Sequence, residues 1–146
     1  MKRFVWRLQR VLEIKKKEQQ KARAELFELT ERLAQARGEL LARHKMLESI
    51  IEKLAQVNPK KRLGDQEFFL KYSKASLEQI RKLEDKVKLL ESRQREKIAE
   101  VLKIRRFKEG LERLRAEAKM EFIRQQEKLE QKELDEGATI SFVRRL

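Results

Sequence analysis

At 146 residues and 17.6 kDa the chain has the length of one ordinary domain but not its composition: 43% is Asp, Glu, Lys and Arg, against about 25% in typical globular proteins, with four Gly and one Pro. So few punctuating residues cannot supply the turns that a multi-strand fold needs about every 8–12 residues, which sets all-β and α/β classes aside. The net charge is +13, there is no Cys, and no apolar run approaches the roughly 18 residues of a membrane span, so neither a disulfide frame nor a signal peptide is expected and cytoplasm is the default compartment.

The first element is a helix over about residues 5–57. Stepping alternately by three and four, Val5, Leu8, Leu12, Lys15, Gln19, Ala22, Leu26, Leu29, Leu33, Ala36, Leu40, Arg43, Leu47, Ile50, Leu54 and Val57 form a ladder in which thirteen of sixteen positions are apolar. A helix keeps such a 3.5-residue stripe on a partner only by supercoiling around it, which is the signature of a coiled coil. At about 1.5 Å per residue the segment is on the order of 80 Å long, so a rod is expected.

Val57-Asn58-Pro59 ends the ladder, because Pro removes an N–H and disfavours helical geometry in the residue before it. Residues 58–65 read as a basic loop closed by Asp65, which can accept from the first free amides of a second helix over about 66–136. That helix carries Phe69, Ser73, Ser76, Ile80, Leu83, Val87, Leu90, Gln94, Lys97, Val101, Ile104, Lys108, Leu111, Arg115, Ala118, Phe122, Gln125 and Leu129 on its ladder. Ile98, Leu102, Phe107 and Leu114 lie just off the row, so the seam is broad and drift from strict heptads is expected beyond Leu90. Gly137 and the β-prone residues after it predict a mobile tail over 137–146.

A short loop cannot span the length of a helix, so the class is all-α: a single long antiparallel two-helix coiled-coil hairpin over residues 1–146, with the C-terminal helix the longer. Setting Val57 opposite Gln66 pairs Leu54 with Phe69, Leu40 with Leu83, Leu33 with Leu90, Ala22 with Val101 and Leu12 with Leu111. Lys15 then faces Lys108 across the seam, a soft layer unless both stems turn outward. Val5 falls near Ala118, which leaves about residues 119–136 as an unpaired overhang of roughly 25 Å carrying Phe122, Ile123 and Leu129. Such a stripe implies that a partner covers it, with a dimer seam or a frayed helix as the alternative.

Catalysis has little to work with. His44, the one imidazole, sits beside Lys45 on the outer side of helix 1 and reads as a solvated residue. Glycine loops for phosphate and zinc-protease spacing are both missing, and the carboxylates, such as Glu28 before Arg32 or Glu109 before Arg113, are spaced for surface ion pairs. The chain is therefore read as no enzyme, with no cofactor and no metal. Lys15-Lys16-Lys17 and Arg105-Arg106 concentrate positive charge near the open end. Phosphates could be drawn there, but regular heptads and the lack of stacking aromatics among the bases speak against nucleic acid, and an acidic protein surface serves equally well as counter-charge. Phe68, Phe69 and Tyr72 cluster at the start of helix 2, where Phe69 is on the seam while Phe68 and Tyr72 either cap the hairpin or anchor a partner.

Two terminal stretches carry a family resemblance. Phe4-Val5-Trp6-Arg7-Leu8-Gln9-Arg10-Val11-Leu12-Glu13-Ile14-Lys15 and Glu130-Gln131-Lys132-Glu133-Leu134-Asp135-Glu136 resemble the opening and closing segments of the FliJ family, coiled-coil proteins of the bacterial flagellar type III export apparatus. The injectisome stalks of the YscO type share the architecture. The resemblance implies a central stalk that enters the ring of the export ATPase FliI, activates it, reaches the export gate protein FlhA and escorts export chaperones, at the inner face of the cell membrane and only peripherally on it. Carried over by position, ring contacts would involve Trp6, Leu8, Gln9 and Arg10 with Lys132, Glu133 and Asp135, joined by Phe122 of the overhang; gate contacts would involve Tyr72 with Phe68. A self-associating coiled-coil scaffold is the alternative reading.

Overall fold

A computed structural model describes residues 2–56 and 62–146. Two helices, α1 (Gln9–Ala55) and α2 (Arg62–Arg145), account for nearly all of them, with no strand among the described residues. The fold is all-α, and α2 is the longer helix. It divides into two units, a terminal unit of Met1–Gln20 with Leu102–Leu146 and a middle unit of Lys21–Val101.

Within the middle unit the helices pair antiparallel on the register read from the sequence. Leu33, Ala36, Val87 and Leu90 form one buried cluster, flanked by Leu29 and Leu40. Leu33 is 2% exposed, and burying such a side chain stabilises by about 2–3 kcal/mol. Polar groups at the seam's edges bond across it: Gln94 Nε2 donates to Thr30 Oγ1 at 3.1 Å, Arg37 pairs with Glu91 at 3.0 Å, and Arg43 donates to Gln79. Lys97 occupies a ladder position yet reaches both Glu25, at 2.5 Å, and Glu100, at 2.9 Å. These contacts hold the Glu25 carboxyl below its usual value of 4.5 through the hydrogen bond from Lys97, and raise Lys97 above 10.5.

The terminal unit is packed by the same ladder. Leu12 and Leu111 are buried, and Leu8, Ile104, Ala118 and Phe122 are half-buried. Strict heptads hold past Leu90 as far as Phe122; after that Gln126, not Gln125, is the partly covered residue. In the expected lysine layer each head group leaves the seam. Lys15 Nζ pairs with Glu18 at 3.0 Å and lies 4.9 Å from the Phe107 ring centre, while Lys108 reaches Glu112 at 3.8 Å.

Several expected boundaries move. Helix α1 starts at Gln9 rather than residue 5, since Phe4-Val5-Trp6 offers no capping side chain and the Gln9 N–H instead closes a turn on the Trp6 carbonyl at 3.2 Å. Val5 is consequently 83% exposed and leaves the seam to Phe4. Of the expected 58–65 loop, residues from Arg62 onward are helical, and Asp65 lies inside the first turn of α2, where its charge suits the positive helix end. Val57 and the Pro59 stop lie outside the described residues. The expected mobile tail is helical through to Arg145. Gly137 keeps a negative φ, so it does not form the left-handed stop that glycine often provides, and its cost inside a helix is about 1 kcal/mol. Glu109 pairs with Arg105 at 3.0 Å, not with Arg113.

Candidate functional site

The terminal unit gathers the N-terminal candidates around Phe4, which periodicity did not single out, and Arg115, a polar member of the α2 ladder. The Phe4 ring lies 5.5 Å from that of Phe122 at a tilt of 52°, and the Arg115 guanidinium sits 5.6 Å from the centre of Phe4. Tilted aromatic pairs and cations over ring faces are both attractive geometries, because the ring edge is positive and its face negative. Arg115 Nε also donates to Gln9 Oε1 at 2.9 Å, and Gln9 Nε2 donates to Glu13 at 3.4 Å. A short non-helical segment is thereby stapled to the side of α2.

Trp6, Leu8 and Gln9 are half-buried in this arrangement and Arg10 is exposed. Phe122, expected on the free overhang, is instead half-covered by Phe4, so the unpaired length begins after it. Lys132, Glu133 and Asp135 lie on that length, all exposed, and the first of them is about 15 Å along α2 from Phe122. The structure thus links Gln9, through Arg115 and Phe4, to Phe122, with Trp6 and Leu8 half-buried beside it in sequence, and leaves Lys132, Glu133 and Asp135 outside this group. Asp135 accepts from Gln131 at 3.3 Å, and its backbone carbonyl accepts from Thr139 Oγ1 at 2.8 Å. Glu130, Glu133, Leu134, Gly137, Ala138 and Ser141 line a shallow hollow on this part of α2.

From residue 123 onward no α1 residue stands opposite α2, and Ile123, Leu129, Leu134, Ile140, Phe142 and Val143 are 39–68% exposed. These six are distributed around α2, so its unpaired length offers apolar contact points on several sides.

The gate candidates lie in the middle unit. Phe68 and Tyr72, one turn apart, stack with ring centres 6.4 Å apart and an interplanar angle of 17°. Phe68 is 71% exposed and Tyr72 half-buried, so this pair presents a flat aromatic face outward. No group of three or more His, Cys, Asp or Glu side chains among the described residues could hold a metal ion, and no helix among them is long and apolar enough to cross a membrane.

The family model described as "Flagellar FliJ protein" matches residues 3–146 of the chain. Comparison with curated proteins and with solved structures finds no match.

Proposed function

The chain belongs to the FliJ family and is a component of the flagellar protein export apparatus, and from that premise we propose that it is the central stalk and activator of the export ATPase. In this reading the free length of α2 enters the ring of FliI, with Trp6, Leu8, Gln9, Arg10 and Phe122 at its root and Lys132, Glu133 and Asp135 along it. Phe68 and Tyr72 contact the gate protein FlhA, and export chaperones are escorted by the same molecule. It works in the cytoplasm, peripherally at the inner face of the cell membrane, and carries no catalysis of its own.

The observation that carries this reading is the unpartnered run after Phe122, whose apolar and charged side chains are all available to a host. A single helix inserted in a ring of identical subunits meets them in different ways, so it favours some subunit states over others and drives turnover by differential binding. Adding the full chain to the cognate ATPase should raise its rate of ATP hydrolysis, and removing residues 123–146 should abolish the rise. Full stimulation by the shortened chain would reject this end as the contact.

A further inference from the structure

One flank of the terminal unit differs from its counterpart in the middle unit. In the middle unit, Arg32 and Glu39 of α1 and Lys86 and Arg93 of α2 line a shared hollow beside the seam, on whose rim Leu89 is 52% exposed. Those four are polar, as expected for positions bordering a two-stranded seam. Counting on by heptads, the same flank of the terminal unit is built by Val11 and Glu18 of α1 with Phe107 and Leu114 of α2. The opposite flank is polar, lined by Gln9 and Lys16 with Glu112, Arg115 and Lys119. Val11 is 36% exposed, Phe107 53% and Leu114 51%, and Ile14, one turn from Val11, is 48% exposed. Gly110, Leu111, Arg113 and Glu117 complete a hollow with Phe107 and Leu114, and Gly110 has open space where a Cβ would stand.

Apolar residues at two seam positions and at one flanking position are the pattern of helices that pack in bundles, not of a two-stranded seam. Here both helices have it on one side, at Val11 with Phe107 and Leu114; the middle unit carries apolar flanking residues too, Ile51 with Leu70 and Leu77, on its other flank. We propose that this flank is the docking groove for a third helix, an acidic amphipathic helix of a partner protein, with Phe107 and Leu114 as its anchors.

Charge selects that occupant. Residues 2–20 and 102–122 together hold fourteen Lys and Arg against six Glu, so the paired part of the unit is strongly positive. The same surface of a second copy is repelled, whereas a helix with Glu or Asp along its outer positions is drawn in. The residues after Phe122 cannot fold back into the groove, because they continue α2 without a break. The docking groove does not rest on the stalk reading, and its binding assay and the ATPase assay fail separately.

The test uses the full chain and a fluorescent peptide of about three heptads with Leu at the seam positions and Glu at the outer ones. The peptide should bind saturably, and more weakly as salt is raised. A peptide with Lys in place of Glu should bind at least about tenfold more weakly. The double variant Phe107→Gln, Leu114→Gln changes two exposed side chains, keeps its helical circular dichroism, and should weaken binding about tenfold or more. Phe27→Gln, at an exposed apolar position of the middle unit, should leave binding unchanged. Equal binding of the two peptides, no saturable binding, an unaffected double variant, or sedimentation showing a dimer that the double variant dissolves would each overturn the inference.

Discussion

Replacing Phe4 by Ala should release the N-terminal segment while leaving both helices intact. Phe4 is held by one tilted ring pair, worth about 0.5–1.5 kcal/mol beyond its buried area. The Arg115 guanidinium over the Phe4 ring adds about 0.5–1 kcal/mol at such a partly exposed site. Losing both removes about 2 kcal/mol, which shifts the ratio of docked to undocked segment by a factor of up to roughly 30. Trp6 is the only tryptophan in the chain and is half-buried two residues away, so its fluorescence reports on this segment alone. In Phe4→Ala its emission should move to longer wavelength and become more open to acrylamide quenching, with helical circular dichroism unchanged. Phe122→Ala should do the same, and Phe142→Ala, 65% exposed with no aromatic partner, should do nothing. Unaltered Trp6 emission in both Phe4→Ala and Phe122→Ala would refute the idea that this ring pair holds the segment down.

Leu33→Ala should lower the thermal midpoint by several degrees, since truncating a 2% exposed leucine costs about 2–3 kcal/mol, while Leu89→Ala at 52% exposure should cost under about 0.5 kcal/mol; equal midpoints by circular dichroism would contradict the packing. Glu25 should titrate below the usual carboxylate range by NMR and return toward 4.5 in Lys97→Met. Because its pKa is lowered on folding, this contribution to stability is present above the usual value and is lost as pH falls through the folded one; the matching contribution of Lys97, raised on folding, is lost as pH climbs above 10.5. Gly137→Ala should slow amide exchange across residues 134–145, as the added methyl meets nothing within 4 Å and helix propensity rises by about 1 kcal/mol; faster exchange would mean that a left-handed stop had been blocked.

What could be read from the sequence was whatever repeats every seven residues. Leu12, Gln19, Ala22, Leu33, Ala36, Ser76, Ile80, Val87, Leu90 and Leu111, the buried residues, all stand on the two ladders. Polar members such as Gln94 and Lys97 were placed correctly because position, not polarity, decides what faces the seam. Periodicity is silent where the helix has not yet begun. The exchange of Val5 for Phe4 depends on a turn at Trp6 and on a ring and a guanidinium 111 residues along the chain, which no local pattern encodes. Glycine at 137 misled for a related reason: its freedom to stop a helix is only an option, and here it is not taken. For the candidate site, the two terminal motifs point to segments of the terminal unit, but only side-chain geometry separates Phe122, held against Phe4, from Lys132, Glu133 and Asp135 beyond it.

The lysine layer has a bearing on alignment. Two ladders that are mostly apolar change little in character under a seven-residue slide, so apolar packing alone specifies the match of the two helices weakly. Lys15 and Lys108 share one level, where each head can escape sideways, one to Glu18 beneath the Phe107 ring and the other to Glu112. A slide of one heptad would set Lys15 against Val101 and Lys108 against Leu8 in one direction, or Lys15 against Arg115 and Lys108 against Ala22 in the other, so the two ammonium groups would no longer share a level. Their shared level therefore works as a vernier mark: a small local weakness that tells the terminal segment where to zip.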